Sequence, residues 1–382
     1  MRLRYKRWIS LLLAVVMMLT LGACGVQSQS DTTDKIAFDS LEKTGQMTLA
    51  YATQYQVEYY GDYSLITIGE DQHFLLVPEG KDLPKNLPED VVALQQPLDK
   101  TYLVSTSVMD LIRQLDCISY IRLSGSKAKD WYITEAKEAI EAGNMIYAGK
   151  YSAPDYECIL NEGCNLAIEN TMIYHTPEVK EKLEELGIPV LVERSSYETH
   201  PLGRLEWIKL YGLLFDALDE ANAYFDSQVE QITPLLDQAN TGKTVAFFSV
   251  NSSGAINVRK PGDYITQMIT MAGGNYALAD VVPEEENALS TMNMQMEDFY
   301  NAAQSADILI YNSAIEGEIT SIDELLAKNS LFAQFDAVKK GNVYCTGKNF
   351  FQESTGMAEF VEDMHNVLGD ADADLTYLKK LN

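Results

Sequence analysis

The stretch from His200 to Leu236, HPLGRLEWIKLYGLLFDALDEANAYFDSQVEQITPLL, constrains this chain more than any other. Between Pro201 and Pro234 it holds no proline, and its only glycines, Gly203 and Gly212, lie in its first half. Leu205, Ile208, Phe215, Leu218, Phe225, Val229 and Ile232 recur at spacings of three, four or seven, one face of a helix. Leu210, Leu213, Leu214, Ala217 and Tyr224 widen that stripe beyond what one packing partner needs. Thr199 is placed to cap the helix, and Pro201 stands in the first turn, where its missing N–H is tolerated. Uninterrupted, such a helix runs roughly 45 Å at about 1.5 Å per residue. Strand-and-helix patterns flank it on both sides. The stretch therefore reads as a rigid linking spine over residues 198–236, shared by two lobes. The alternative is one long helix inside a single α/β domain.

The flanking patterns define the lobes. In the first, residues 38–197, short β-rich runs at 54–60, 63–69 and 73–77 form a small antiparallel meander, separated by Gly61-Asp62 and Glu70-Asp71-Gln72. Strands at 101–104, 118–123, 145–148 and 166–169 then alternate with helices at 107–115, 134–142, 155–161 and 177–186. A last strand at 188–192 precedes the spine. Such alternation implies a parallel sheet covered on both faces. The second lobe, residues 237–382, repeats the logic. Strands fall at 243–250, 255–258, 307–311 and 342–345, and helices at 263–271, 296–303, 322–327, 330–339 and 355–368. The expected fold class is α/β, with two lobes on one long rigid helix and a ligand cleft between them. Open α/β sheets bind ligands beyond the carboxyl ends of their strands.

The start of the chain fixes the compartment. Arg2, Arg4, Lys6 and Arg7 form a basic region, Trp8 to Leu19 an apolar core, and Leu21-Gly22-Ala23-Cys24 closes the segment. That order describes an export signal over residues 1–23 rather than a membrane span. The Leu-Gly-Ala-Cys ending resembles the bacterial lipobox, which implies acylation of Cys24 and anchorage to the outer face of the cell membrane by lipid alone. Residues 24–37, rich in Gln, Ser, Thr and Asp, fit a solvated tether. The formal charge is −27, and cleavage removes four positive charges and no negative ones, leaving about −31. Such a surface argues against nucleic acid and anionic lipid headgroups as direct partners. Cys117, Cys158, Cys164 and Cys345 are too few for a disulfide scaffold and read as small packing groups, with a Cys158–Cys164 bridge the one conceivable pair.

With these features in place, the mature chain resembles a substrate-binding lipoprotein of an ABC importer, of the single-helix-hinge class that handles iron–siderophore complexes, haem and cobalamin. The stretches carrying the resemblance are TSVMDLIRQL, YAGKYSAPDYECIL, NLAIENTMIYHTPEVKEKLEELGIPVLVERSSYETHPLGRLEWIKLYG and VRKPGDYITQMITMAGGNY. It implies an ABC permease dimer as partner, no cofactor and no catalysis. In each lobe the family has a helix carrying a glutamate, followed by a strand. Glu157 and Glu297 fall at those two positions, which the resemblance assigns to docking on permease arginines. The first lobe departs from the pattern: Glu162-Gly163-Cys164-Asn165-Leu166 stands where the family usually reads Leu-Lys-Pro-Asp-Leu, which loosens the register around Glu157.

Residues just past strand ends are the candidate ligand contacts: Ser105, Thr106, Trp131, Tyr132, Tyr151, Tyr174 and His175 in the first lobe, and Asn251, Arg259, Tyr264 and Tyr311 in the second. Aromatic faces suit a bulky planar or macrocyclic ligand. Arg259, read as an exposed side chain beside Lys260, is the expected cation for carboxylate or catecholate oxygens. A bare Zn²⁺ or Mn²⁺ site needs several convergent ligands, and His73, His175, His200 and His365 lie in different elements, so no metal site is assigned. His175 as an axial ligand to haem iron stays open. A lipid-anchored enzyme finds no support in a Gly-x-Ser-x-Gly elbow, a His-Glu-x-x-His pair or a phosphate loop.

Overall fold

The computed structural model describes residues 36–282 and 290–382. The signal segment and Cys24 lie outside the described residues. The chain divides into two units of very unequal size. In the smaller, among residues 36–41 and 82–87, Phe38 N–H donates to the Lys85 carbonyl at 2.7 Å and Lys85 N–H to the Ile36 carbonyl at 2.9 Å. Among the described residues the larger, residues 42–81 and 88–382, holds three sheets of five or more strands, one two-stranded hairpin and the helices around them.

The first sheet is the meander: β1 (Gly45–Gln46), β2 (Tyr55–Tyr60), β3 (Tyr63–Ile68), β4 (Gln72–Val77) and β5 (Val91–Gln95), in that order. In β2, Tyr55 and Val57 are buried and Gln56 is exposed, the two-residue period of a sheet with one covered face. β5, which sequence reading missed, pairs with β4 in parallel.

The second sheet uses β6 (Thr101–Leu103), β7 (Ile121–Ser124), β8 (Ile146–Tyr147), β11 (Leu166–Glu169) and β12 (Val190–Val192), with a two-residue hairpin, β9 (Gly149–Lys150) and β10 (Ala153–Pro154), outside it. Its order is β12-β11-β6-β7-β8 and every pair is parallel. β6, β11 and β12 are buried at every residue, so apart from Thr101 and Glu169 their sequences read as apolar runs rather than alternations. The Gln72 side chain acts as one more strand residue on the β12 edge. Its Nε2 donates to the Val192 carbonyl at 2.9 Å, and its Oε1 accepts from Val192 N–H at 2.8 Å.

The third sheet is mixed. β13 (Thr244–Val250), β17 (Ile308–Tyr311) and β18 (Val343–Thr346) are parallel, whereas β14 (Ile256–Arg259), β16 (Thr291–Met294) and β19 (Leu378–Lys380) are antiparallel to their neighbours. The short β15 (Asn275–Tyr276) runs parallel to β13. The five-residue connection from β13 to β14 is too short for a crossover, which forces the reversal. The two-lobed α/β architecture is thus as the sequence implies, with more antiparallel edge than its alternation pattern predicts.

The spine is not one helix. Pro201–Glu206 and Ile208–Leu214 meet at Trp207, and Leu218–Leu236 follows a break at Phe215–Ala217. His200, not Thr199, caps the first segment, its Nδ1 accepting from Leu202 N–H at 3.1 Å. Asp216 takes a left-handed φ of +60° and turns the chain back on itself. A Cβ on Gly212 would lie 2.6 Å from Ala221 Cβ and 2.7 Å from the Ala217 carbonyl oxygen. The bare glycine therefore lets the second and third helices touch, and that contact replaces the straight rod. The apolar positions that phase as one helix face are largely buried all the same, distributed over two short helices, the break and one longer helix.

Two carboxylates on this region organise the chain before β2. Glu206 accepts the N–H groups of Ala50, Tyr51 and Ala52 at 2.8–2.9 Å and the Lys209 ammonium at 2.8 Å. Glu198 accepts Thr53 and Gln54 N–H, both at 2.9 Å, and Trp207 Nε1 at 3.1 Å. Five successive backbone donors are satisfied by two buried acids. A single apolar core runs from Met47 in the meander to Leu381, so both lobes share it. A satellite core of Tyr102, Val104, Ile159, Ile173 and Leu183 lies beside it.

Candidate functional site

The carboxyl ends of β6, β7, β8 and β11 lead into loops that display large side chains. Tyr132 is 48% exposed, Tyr147 37%, Met172 44% and Tyr174 41%. Lys127 Nζ lies 5.3 Å from the Tyr147 ring centroid, within cation–π range. His175 is also exposed, and Tyr151 is half-buried against the satellite core. Tyr147 and Met172 escaped the sequence reading, although Tyr147 is the last residue of its strand. Two other expected contacts are internal. Trp131 is buried and its Nε1 donates to Ser124 Oγ at 3.2 Å, because the indole fills the space above the end of β7. Ser105 is buried and its hydroxyl donates to the Glu193 carboxylate at 2.9 Å. Thr106 is half-buried in the first turn of the helix Thr106–Gln114.

Glu169, the last residue of β11, is fully buried, and neither carboxyl oxygen has a hydrogen-bond partner among the described residues. Burial pushes its pKa up to about 8.

On the mixed sheet, a cavity of ≈ 270 Å³ opens beside the carboxyl ends of β13 and β17, lined by Asn251, Asn257, Arg259, Thr291, Asn293, Asn312, Ile315, Glu316 and Phe351. Asn251 and Asn312 each follow a strand directly and begin the turn after it. Asn251 Oδ1 accepts from Ser253 N–H, Ser253 Oγ and Ala255 N–H, and Asn312 Oδ1 from Ala314 N–H. An asparagine that closes an Asx turn after an apolar strand is a legible signal. It identifies Asn312, which the sequence reading overlooked.

Three second-lobe expectations need correction. Arg259 lines the cavity but is only 7% exposed, and it is already paired: its Nε and Nη2 donate to the two Asp263 oxygens, both at 2.7 Å. Its Nη2 also donates to Ser290 Oγ at 3.1 Å. Burial alone would lower its pKa, but the Asp263 carboxylate holds it above the ordinary arginine value. Tyr264 is buried, with the Arg204 guanidinium 4.0 Å and that of Arg259 5.2 Å from its ring centroid. Tyr311 is wholly buried, because it lies next to Phe248 in register and packs edge-on against that ring. Arg204, unnoticed in sequence, borders a void of ≈ 20 Å³ with Tyr264, Phe351 and Ser354.

The two lobes are tied directly. Asp110 Oδ2 accepts Thr355 N–H at 2.8 Å and Thr355 Oγ1 at 2.6 Å, while its Oδ1 accepts Arg113 Nε at 2.8 Å. Ser354 Oγ donates to the Ser107 carbonyl at 2.8 Å. Gln352 spans the loop of Tyr132: its Oε1 accepts Tyr132 N–H at 2.9 Å and its Nε2 donates to the Asp130 carbonyl at 2.8 Å.

Glu157 and Glu297 are exposed, each in the first turn of a short helix, Tyr156–Asn161 and Met296–Ala303, whose chain then enters β11 or β17. Neither makes an ion pair among the described residues. All four cysteines after Cys24 are free, Cys158 and Cys164 included. Among the described residues no three His, Cys, Asp or Glu side chains converge to hold a metal ion.

Comparison with known proteins matches residues 123–350 to the family model described as periplasmic binding protein. An uncharacterized lipoprotein of Methanocaldococcus jannaschii is 22% identical over 312 residues, covering 77% of this chain and 72% of the relative. The periplasmic haem-binding protein HutB of Vibrio cholerae superposes with a TM-score of 0.57 at 15% identity, over 69% of this chain and 98% of its own. A Fe³⁺-hydroxamate transport protein of Saccharomonospora viridis gives 0.55 at 18% identity, over 71% and 93%.

Proposed function

Since the chain belongs to the periplasmic binding protein family, we propose that it is an extracytoplasmic capture protein that binds an iron complex and hands it to an ABC permease. The ligand class is a siderophore-type chelate, with haem, cobalamin or a bare transition metal as the less favoured cargo. One observation carries this reading. Exposed Tyr132, Tyr147, Met172 and Tyr174 crown the strand ends of one lobe, while the other lobe has its polar cavity at its own strand ends. Large aromatic faces bind a bulky, partly planar body, and polar groups at the strand ends fix its orientation. Neighbours of the same fold include a haem-binding and a Fe³⁺-hydroxamate transport protein, which agrees with that cargo.

Capture and release change no covalent bond of the ligand, and the role we propose includes no catalysis. Glu157 and Glu297 meet two permease subunits through arginines, and acylated Cys24 tethers the protein to the membrane, with residues 38–197 and 237–382 as the two lobes. The experiment is native mass spectrometry of protein purified from its own host, followed by fluorescence titration of the stripped protein with ferric chelates, haem and cobalamin. We expect an iron complex to co-purify and to quench. A protein that purifies empty and responds to none of these ligands overturns the proposal.

A further inference from the structure

Resting on the capture reading above, we infer that the second-lobe cavity recognises an electrically neutral, oxygen-rich face of the ligand, of hydroxamate or carbonyl type, through amide donors rather than a cation. The first reason is charge. Among the described residues Arg259 is the one basic side chain lining the cavity, and Asp263 neutralises it in a two-point ion pair. The other charged residue there is Glu316, an acid at the exposed rim. An anionic chelate entering this cavity loses water and finds no uncompensated positive charge among the described lining residues in return.

The second reason is the direction of the amides. Main-chain N–H groups only donate, so the atom of Asn251 that receives Ser253 N–H and Ala255 N–H, both at 3.0 Å, must be its oxygen. Its NH₂ is thereby turned from the loop and has no acceptor among the described residues. Asn312 is fixed in the same way by Ala314 N–H at 3.2 Å. Asn257 and Asn293 bond to each other at 2.9 Å, an arrangement that engages one amide oxygen and leaves the NH₂ of its owner unspent. Among the described residues the amide oxygens of Asn251, Asn293 and Asn312 each accept a hydrogen bond while their NH₂ groups donate none, and only the Asn257 NH₂ is spent, on Asn293. Asn312 is only 4% exposed, so its spare donor is not freely hydrated and is best satisfied by a ligand oxygen. Ile315 and Phe351 supply the apolar frame. A bare cation, which needs converging oxygen acceptors, is the wrong occupant.

The test uses two ferric complexes of similar size, a neutral hexadentate trihydroxamate and a trianionic hexadentate tricatecholate, titrated into wild-type protein and the Asn312→Asp and Asn251→Asp variants. Each aspartate keeps the oxygen that caps its turn, and thermal melting verifies the fold. The neutral complex should bind wild type more tightly than the trianion, with an affinity steady across about a tenfold change in salt. Asn312→Asp, which replaces a donor by a carboxylate, should weaken the neutral complex by about 10- to 100-fold. Tighter binding of the trianion, or unaltered affinity in both folded variants, overturns this inference while leaving the capture reading intact. Failure of wild type to bind either complex also overturns this inference, and the capture reading falls with it only if haem and cobalamin leave the protein equally unresponsive.

Discussion

Replacing Asp110 by alanine should destabilise the protein by about 3 kcal/mol. The carboxylate is fully buried and accepts three hydrogen bonds, two from Thr355 on the other lobe and one from Arg113 on its own helix. Truncation leaves the Thr355 N–H and hydroxyl without an acceptor in a buried place, at roughly 1–3 kcal/mol for each group. The Arg113 side chain is 30% exposed, so water screens its lost pairing and adds little. Asp110→Asn keeps one acceptor oxygen and should lose about half as much. The assay is urea unfolding followed by tryptophan fluorescence, since Trp131 and Trp207 are both buried. A double-mutant cycle with Thr355→Val should show a coupling of about 1–2 kcal/mol. A loss below about 1 kcal/mol for Asp110→Ala, or no coupling to Thr355, refutes the tie between the lobes.

Arg259→Ala, which would change folding stability little if the side chain were exposed as read from sequence, should instead cost about 3–5 kcal/mol by urea unfolding, because Asp263 is then a buried charge without its partner. With its pKa pushed up to about 8 by burial, Glu169 should stay protonated in the folded protein over a range where the unfolded chain, at the ordinary glutamate value of 4.5, has already ionised. The folded state therefore binds the extra proton between those values, and stability is lost as pH rises through that window. Glu169→Gln should gain on wild type by at most about 1.4 kcal/mol per pH unit there, a slope that chemical denaturation across pH will reveal or deny. Glu157→Ala/Glu297→Ala should bind ligand like wild type yet fail to support uptake in cells; normal uptake removes the docking assignment.

Much of the fold is legible because its strands are apolar runs between turn residues. Residues 166–169 and 296–303 emerge with the same limits from sequence and structure. What escaped depends on contacts distant in sequence or on polar edges. β16, Thr-Met-Asn-Met, has no apolar alternation and becomes a strand because it pairs with β14. The spine breaks because Gly212 meets Ala221, a contact that a 3.6-residue period cannot reveal. Tyr132 and Tyr174, exposed in loops after strands, and Asn251, in the cavity lining, lie where the rule for open α/β sheets directs the search. Tyr311 and Trp131 satisfied the same rule and proved internal. The rule locates a position along the strand but not the face toward which the side chain leans. Arg259 carried its own warning: Asp263 lies four residues on, placed at the start of a helix where it folds back as partner.

The break in the spine also changes why the lobes should move little. A continuous helix resists bending through its own ladder of hydrogen bonds, and that argument no longer holds once Asp216 reverses the chain. Its place is taken by the shared core and by the lateral bonds of Asp110, Ser354 and Gln352. To open, the lobes would have to uncover apolar surface at about 25 cal/mol per Å² and strip the Asp110 carboxylate of both Thr355 donors. Ligand binding supplies no reason to do either, so the site is set in size before the ligand arrives. Small-angle scattering with and without ligand should then give the same radius of gyration within error. The Gln352→Ala variant, which loses only the tie beside Tyr132, should weaken ligand binding without changing that radius. A clear contraction of the wild-type protein on binding would show that the bonds between the lobes yield, and that the cavity and the aromatic loops are brought together by the ligand.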